Sequence, residues 1–197
     1  MHTQWLADLL AERIATVTIL PGGELRPDAP PNGAILAGAF NPLHRGHERM
    51  AAAAAKLTGL PVAFELALLN ADKGFLPHAE IERRVAQFAG RHTLVLSCAP
   101  LFVQKAALYP GRTFVLGYDT AVRLLAPRYY GGDSGLHAAL TTLRQAGCHL
   151  LVAGRLAAGR FATLADLALP AGYADMFTAL PAAQFREDIS STELRKP

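Results

Sequence analysis

The sequence lacks several features that would place it in a specialised class. It has only two cysteines, Cys98 and Cys148, each at the end of an apolar run, which favours buried reduced thiols over a disulfide framework or a metal pair. No apolar run approaches the roughly 20 residues of a membrane-spanning helix, and the amphipathic start, 1–14, has no apolar signal core. We therefore expect a cytoplasmic protein without a membrane partner.

Charge is also sparse. Only 18% of the 197 residues are charged, the formal net charge is +3, and the basic residues are scattered along the chain. Because nucleic-acid binders usually gather basic residues into a stripe, we expect no nucleic-acid partner. The slight positive excess suits a small polyanion such as a nucleotide. With 51% hydrophobic residues, the chain is long enough to bury one core.

Short apolar runs alternate with helical segments from residue 33 onward, which predicts an α/β fold: a doubly wound parallel sheet of five or six strands. The candidate strands are 33–38, 62–69, 93–98, 112–117, 148–153 and, as a sixth, 177–180. The candidate helices are 47–58, 78–89, 101–108, 119–126, 136–146, 163–168 and a short one from 191.

Residues 1–32 are predicted to be an amino-terminal helix and linker packed on the edge of a main domain, 33–197. The helix, 4–15, would place Trp5 in core packing, and a short strand at 16–20 would follow it. The segment 24–32 carries three prolines and is predicted to be a loop.

Two polar, glycine-containing loops follow strands of the predicted sheet. Such sheets bind ligands beyond the carboxyl ends of the strands, where the strand order reverses. If the first strand is central and the fourth lies beside it, the loop 38–47 and the loop 117–119 meet there. Lys73, in a loop after the second strand, is at the same edge and could meet a second substrate.

The first loop reads Gly38-Ala39-Phe40-Asn41-Pro42-Leu43-His44-Arg45-Gly46-His47 and leads into a helix. The first turn of a helix has free N–H groups and a positive dipole end, so polar residues there indicate an anionic ligand. The loop has neither the Gly-Lys-Ser/Thr ending of a P-loop nor the glycine spacing of a dinucleotide loop. The spacing of His44 and His47 would also suit a metal, but no third ligand stands out.

This loop resembles the G-x-F-[ND]-P-[ILV]-H-x-G-H signature of the nucleotidylyltransferase superfamily and matches it at every defined position. Near the carboxyl end, 188–195 resembles the I-S-S-T-x-[IL]-R signature of the same superfamily. Read without the resemblance, Ser190 or Ser191 could cap a short helix, with Glu193 completing a capping box. Within the superfamily, residues 33–196 are most similar to the nicotinamide or nicotinate mononucleotide adenylyltransferase branch.

The resemblance implies a Rossmann-like fold and transfer of a nucleotidyl group from ATP to the phosphate of a mononucleotide, with release of pyrophosphate. It implies that His44 and His47 are catalytic and donate hydrogen bonds to the triphosphate. Mg²⁺ would be held mainly by substrate phosphates, with no metal ligand from the chain. The nucleotide- or phosphate-binding residues would be Gly38, Ala39, Phe40, Asn41, Gly46, Gly117, Asp119, Arg155, Ser190, Ser191, Thr192 and Arg195.

The phosphorylated small-molecule acceptor is less well defined. Its candidate contacts are Asn70, Lys73 and Tyr118, and an aromatic residue stacked on its ring would have to come from Tyr118, Phe75, Tyr129 or Tyr130.

Several residues keep a simpler interpretation. Asp119 could equally be a helix N-cap and Arg155 a surface charge. Arg83 and Arg84 are more typical of a solvated helix face. The segment 132–135, which resembles a protease nucleophile loop, is predicted to cap a helix from residue 136.

Two other functions stay open. A cytidylyltransferase acting on a phosphorylated alcohol would use the same signatures, and a nucleotide-binding protein with little turnover would keep the fold and the loop. A tRNA synthetase is disfavoured because the chain has no room for an anticodon-binding domain. The sequence also leaves a homo-oligomer open.

Overall fold

The computed structural model describes residues 4–157 and 160–187. Its helices are α1 (Gln4–Leu10), α2 (Arg45–Thr58), α3 (His78–Ala86), α4 (Phe102–Leu108), α5 (Tyr118–Leu124) and α6 (Asp133–Gln145). Its strands are β1 (Thr16–Ile19), β2 (Leu25–Pro27), β3 (Ala34–Ala37), β4 (Val62–Ala67), β5 (Leu69–Asn70), β6 (Gly74–Phe75), β7 (Leu94–Ser97), β8 (Thr113–Gly117), β9 (His149–Ala153), β10 (Arg155–Ala157), β11 (Arg160–Ala162) and β12 (Phe177–Leu180). Short 3₁₀ helices cover Pro127–Tyr129, Leu164–Asp166 and Ala174–Met176.

A mostly parallel central sheet confirms the predicted α/β class. Its strand order is β12-β9-β8-β3-β4-β7-β1-β2, and the six strands from β12 to β7 are parallel. β3 pairs with both β4 and β8, so the strand order reverses beside it. The predicted loops 38–47 and 117–119 therefore follow adjacent strands at one edge of the sheet.

The sheet has eight strands, which corrects the predicted five or six. The two additional strands, β1 and β2, form an antiparallel hairpin, and β1 pairs antiparallel with β7. The predicted loop 24–32 therefore contains a strand. β2 is three exposed residues ending in Pro27, so it has no apolar alternation to reveal it, and its edge position tolerates the missing N–H of proline.

Helices cover both faces of the sheet. The amino-terminal helices α1, α2 and α3 pack on one face, where Trp5 lies against the core as predicted, and α4, α5 and α6 pack on the other. Burial of a Leu, Ile or Phe side chain contributes about 1.5–3 kcal/mol, so these two layers supply the main stabilisation of the sheet. On the first face, Ala51, Ala53 and Ala54 let α2 lie close to the strands.

Some predicted element bounds are wrong. The predicted helix 163–168 is a single 3₁₀ turn, in which the carboxylate of Asp166 accepts the backbone N–H of Thr163. The helix predicted from residue 136 begins at Asp133 with no side-chain cap. The predicted strand 62–69 ends early because residues 69–75 turn back as the β5–β6 hairpin.

Both cysteines are free thiols, Cys148 buried and Cys98 partly buried. Across the part of the chain that the structure describes, no helix is long and apolar enough to cross a membrane.

Candidate nucleotide site

The two signature histidines close the amino-terminal end of α2. His44 has an extended backbone and is the N-cap, and its Nδ1 accepts the backbone N–H of Gly46 at 3.1 Å. In return, Nδ1 of His47 accepts the backbone N–H of His44 at 3.4 Å. The ring centroids are 3.9 Å apart, so the helix start holds both imidazoles side by side.

Both imidazoles are neutral at pH 7. Burial, together with the nearby His44, lowers the pKa of His47 to about 3. Burial also lowers the pKa of His44, although Glu187 and Glu48 act in the opposite direction. A neutral imidazole carries one proton, and each Nδ1 here accepts a backbone N–H, so the proton is on Nε2 in both rings. The two rings therefore present two N–H donors and carry no formal charge themselves.

Phe40 packs beneath the loop. It adopts a positive φ of 46°, and its side chain is 1% exposed. The ring meets His47, Phe64 and Phe88 edge-on at centroid distances of 5.1, 5.5 and 5.3 Å. Phe40 therefore contributes packing beneath His47, whereas the resemblance had implied contact with the nucleotide.

Polar side chains in α3 and at its C-cap hold the backbone of the loop. Arg84 donates to the carbonyl of Ala39 at 2.8 Å. Gln87 donates to the carbonyl of Phe40 at 3.1 Å, and its side-chain oxygen accepts the N–H of Leu43 at 2.7 Å. Arg84 is 8% exposed, so its prediction as a solvated residue is wrong. The sequence signal is the three-residue spacing of Arg84 and Gln87, which places them on one face of the helix.

The neighbouring Arg83 also reaches the loop. Its guanidinium contacts the side-chain oxygen of Asn41 and pairs with Glu80, and it stays largely exposed. Glu80 pairs with both arginines, whose hydrogen bonds lower its pKa to about 2. Asn41 therefore lies at the outer rim of the loop, held from α3.

Replacement of Gln87 by Ala should loosen the loop. The substitution would leave the Phe40 carbonyl and the Leu43 N–H without their side-chain partner. This loss should lower the free energy of unfolding by about 1–3 kcal/mol. Urea unfolding measures the loss, with Glu82→Ala, on the exposed side of α3, as the control that should change it little. Equal stability of the two variants would show that Gln87 does not hold the loop.

The second predicted loop brings two candidate residues together. Gly117 precedes α5, and Tyr118 is the first residue of that helix. Asp119 lies in the first turn and forms an ion pair with Arg155, the first residue of β10. The N-cap interpretation of Asp119 is therefore wrong, since Gly117 is the N-cap of α5, whereas Arg155, with a side chain 39% exposed, is a surface charge paired with Asp119.

A cavity of about 200 Å³ adjoins the start of the signature loop. Gly38 and Ala39 line it, as does Asn70 from the predicted acceptor contacts. Lys73 and Tyr118 are not among its lining residues. Of the four candidate stacking residues, Tyr129 and Tyr130 line the cavity, whereas Phe75 is 53% exposed outside it.

A polar cluster that the sequence did not reveal lies beside the cavity, where two of its members, Arg123 and Tyr129, line it. Asp72, in the β5–β6 turn, accepts hydrogen bonds from Arg123 at 2.6 Å and from the hydroxyl of Tyr129 at 3.0 Å. Arg128 in turn donates to that hydroxyl at 3.0 Å. This cluster joins the turn after β5 to the segment after α5, so residues far apart in sequence lie together.

The floor of the cavity carries a buried ion pair. Lys105 of α4 donates to both carboxylate oxygens of Glu65, at 2.6 and 2.7 Å, and Ser97 donates to one of them at 2.6 Å. The side chains of Lys105 and Glu65 are 4% and 1% exposed. A sequence signal was present, because Glu is almost never fully buried unless paired and Glu65 lies inside an apolar strand.

The predicted residues Ser190, Ser191, Thr192 and Arg195 lie outside the described residues. The last described residue, Glu187, has a side chain 6% exposed that pairs with Arg49 and, at 3.4 Å, with Arg45. Phe185 is 4% exposed in the core. Glu187 therefore holds the chain against the first two turns of α2, close to His44. The segment 188–195 follows it directly in the sequence.

Within 4–157 and 160–187 there is no group of three or more His, Cys, Asp or Glu side chains that could hold a metal ion. Comparison with known proteins adds no assignment, since no protein-family model and no curated protein matches the chain.

Proposed function

We propose that the protein transfers the adenylyl group of MgATP to the phosphate of a pyridine mononucleotide, nicotinamide or nicotinate mononucleotide, and releases pyrophosphate. The observation that carries the proposal is the neutral His44–His47 pair. Its two Nε2–H donors lie at the start of a helix, beside the central strand where the strand order reverses. Such a position combines side-chain donors with the positive end of the helix dipole, which suits a triphosphate.

The chemistry requires little from the protein beyond position and charge. A phosphate oxygen of the acceptor attacks the α-phosphorus of ATP, and the bond from that phosphorus to the bridging oxygen of pyrophosphate breaks. The acceptor phosphate has a second pKa of about 6 and is largely dianionic at neutral pH, so no general base is needed. Donors held in place before the reaction can stabilise the negative charge that develops in the transition state.

The proposal assigns the two substrates to adjoining parts of the region beside β3 where the strand order reverses. The triphosphate would lie at the histidines, with the Asp119–Arg155 pair at the neighbouring strand end. The acceptor ring would enter the cavity lined by Tyr129 and Tyr130. An engineered cavity of about 150 Å³ holds benzene, so a volume of about 200 Å³ has room for one six-membered ring with a small substituent.

The described side chains do not form a site for Mg²⁺, so the proposal treats the ion as part of the MgATP substrate and derives no step through it. Hard oxygen ligands from phosphates and water suit this ion.

A pyrophosphate-release assay tests the proposal. ATP and CTP are each combined with nicotinamide mononucleotide, nicotinate mononucleotide, phosphocholine and glycerol 3-phosphate. We expect turnover with ATP and a pyridine mononucleotide. Turnover with CTP and a phosphorylated alcohol alone would identify a cytidylyltransferase instead. ATP binding without any pyrophosphate release would indicate a nucleotide-binding protein.

A further inference from the structure

The buried ion pair at the cavity floor has a hydrogen-bond donor to spare. An ammonium group has three N–H bonds, and Lys105 directs two of them to the carboxylate oxygens of Glu65. Within the described ranges the third has no protein acceptor. Both residues line the cavity, so this donor lies where a ligand group could reach it.

The charge at the floor is already balanced. Glu65 lies within 2.7 Å of the ammonium and neutralises it, and Ser97 supplies a further hydrogen bond to the carboxylate. A second carboxylate brought to Lys105 would give the buried cluster a net negative charge, which a site so poorly solvated disfavours. A neutral carbonyl oxygen would satisfy the third N–H without adding charge.

We propose that Lys105 and Glu65 determine the acceptor, and that they select a carboxamide over a carboxylate on the pyridine ring. The third N–H of Lys105 binds the amide oxygen, and Glu65 repels the acid. The inference rests on the proposed function, since it concerns the acceptor cavity of that reaction. It identifies nicotinamide mononucleotide as the acceptor in preference to nicotinate mononucleotide.

A purely structural role would have a different signature. The pair also connects α4 to β4, and breaking one partner of a buried pair is strongly destabilising whatever the pair does for a ligand. Loss of stability would change the amount of active protein, and it would affect both acceptors equally. The ratio of kcat/KM for the amide to kcat/KM for the acid is therefore the readout that separates the two roles.

The unmodified protein gives the first test. With ATP saturating, kcat/KM for nicotinamide mononucleotide should exceed that for nicotinate mononucleotide by about tenfold or more, because a site built around a hydrogen bond discriminates against the analogue that does not suit it. Calorimetric binding of each mononucleotide without ATP should give the same order. Equal values, or a preference for the acid, would overturn the inference while leaving the adenylyl transfer intact. No release of pyrophosphate with either acceptor would overturn the proposed function itself.

Two variants give the second test. Glu65→Gln leaves the ammonium without its counter-charge, so the ratio should fall by about tenfold or more and can reverse in favour of the acid. The double variant Glu65→Gln with Lys105→Met removes both charges, so neither acceptor should be favoured by more than about threefold. Lys56→Met, an exposed lysine on α2, is the matched control and should keep the wild-type ratio. Unchanged ratios in both cavity variants would overturn the inference, and the measurement on the unmodified protein holds even if a variant does not fold.

Discussion

His47→Ala should lower the rate of pyrophosphate release with ATP by about one to three orders of magnitude, because one fixed donor to developing charge contributes about that much. The fold should survive the change. Among the described residues, the only side-chain hydrogen bond of His47 is the long one that it accepts from the backbone N–H of His44, at 3.4 Å, and Ala is a good helix former. His47→Gln, which retains an N–H donor, should recover part of the lost rate.

The same prediction has a pH signature. With its pKa at about 3, the His47 ring does not titrate between pH 6 and 8, and the lowered pKa of His44 keeps that ring largely neutral above pH 7. The rate should therefore be flat above about pH 7 and fall below about pH 6, where the acceptor phosphate takes up a proton. The fall should persist in His47→Ala, since it belongs to the substrate.

The matched control is His137→Ala. His137 is an exposed histidine on α6 whose ring contacts Tyr173, far along the chain from the loop. Turnover by His47→Ala equal to that of the His137 variant would remove His47 from the catalytic residues.

Gly38→Ala should damage both stability and turnover. A Cβ at this position would lie 2.8 Å from two ring atoms of Phe40, closer than packed atoms allow. The ring cannot move freely, because Phe64, Phe88 and His47 surround it. Overpacking of this kind costs about 1–3 kcal/mol in the free energy of unfolding. The displaced ring would also move His47, so we expect at least about a tenfold loss in the rate of transfer.

The control for this change is Gly22→Ala. A Cβ at Gly22 meets no atom within 4 Å, so the substitution should be nearly neutral in urea unfolding and in the pyrophosphate assay. If Gly38→Ala matched this control in both measurements, the contact between Phe40 and His47 would not position the histidine.

The parallel part of the sheet could be predicted because its signal is local. Each of the six parallel strands is an apolar run followed by a turn or helix start, and buried strands of parallel sheets have this pattern. The hairpin was harder: β2 is three exposed residues, 25–27, whose pairing with β1 depends on tertiary structure. The turn at 69–75 was missed for the same reason, since an apolar run does not show where a strand leaves the sheet.

The candidate site likewise has one part with a local sequence signal and another part that depends on tertiary structure. The loop 38–47 is one continuous stretch, so its residues could be named from the sequence together. The residues that hold it and form its cavity, such as Arg84, Gln87 and Lys105, come from helices 40 or more positions away. Their roles follow from contacts across the fold. The sequence alone favours a solvated side chain for Arg84 and predicts no role for Gln87 or Lys105.

The β1–β2 hairpin also determines which strand borders the sheet. Without it, β7 would end the sheet with a row of free N–H and C=O groups along Leu94–Ser97, an apolar segment able to pair with another chain. β1 occupies those groups, and β2 then forms the border with only three residues and a proline, which cannot donate a hydrogen bond. Because of this hairpin, the edge strand of the sheet is the short, exposed β2 and not the apolar β7.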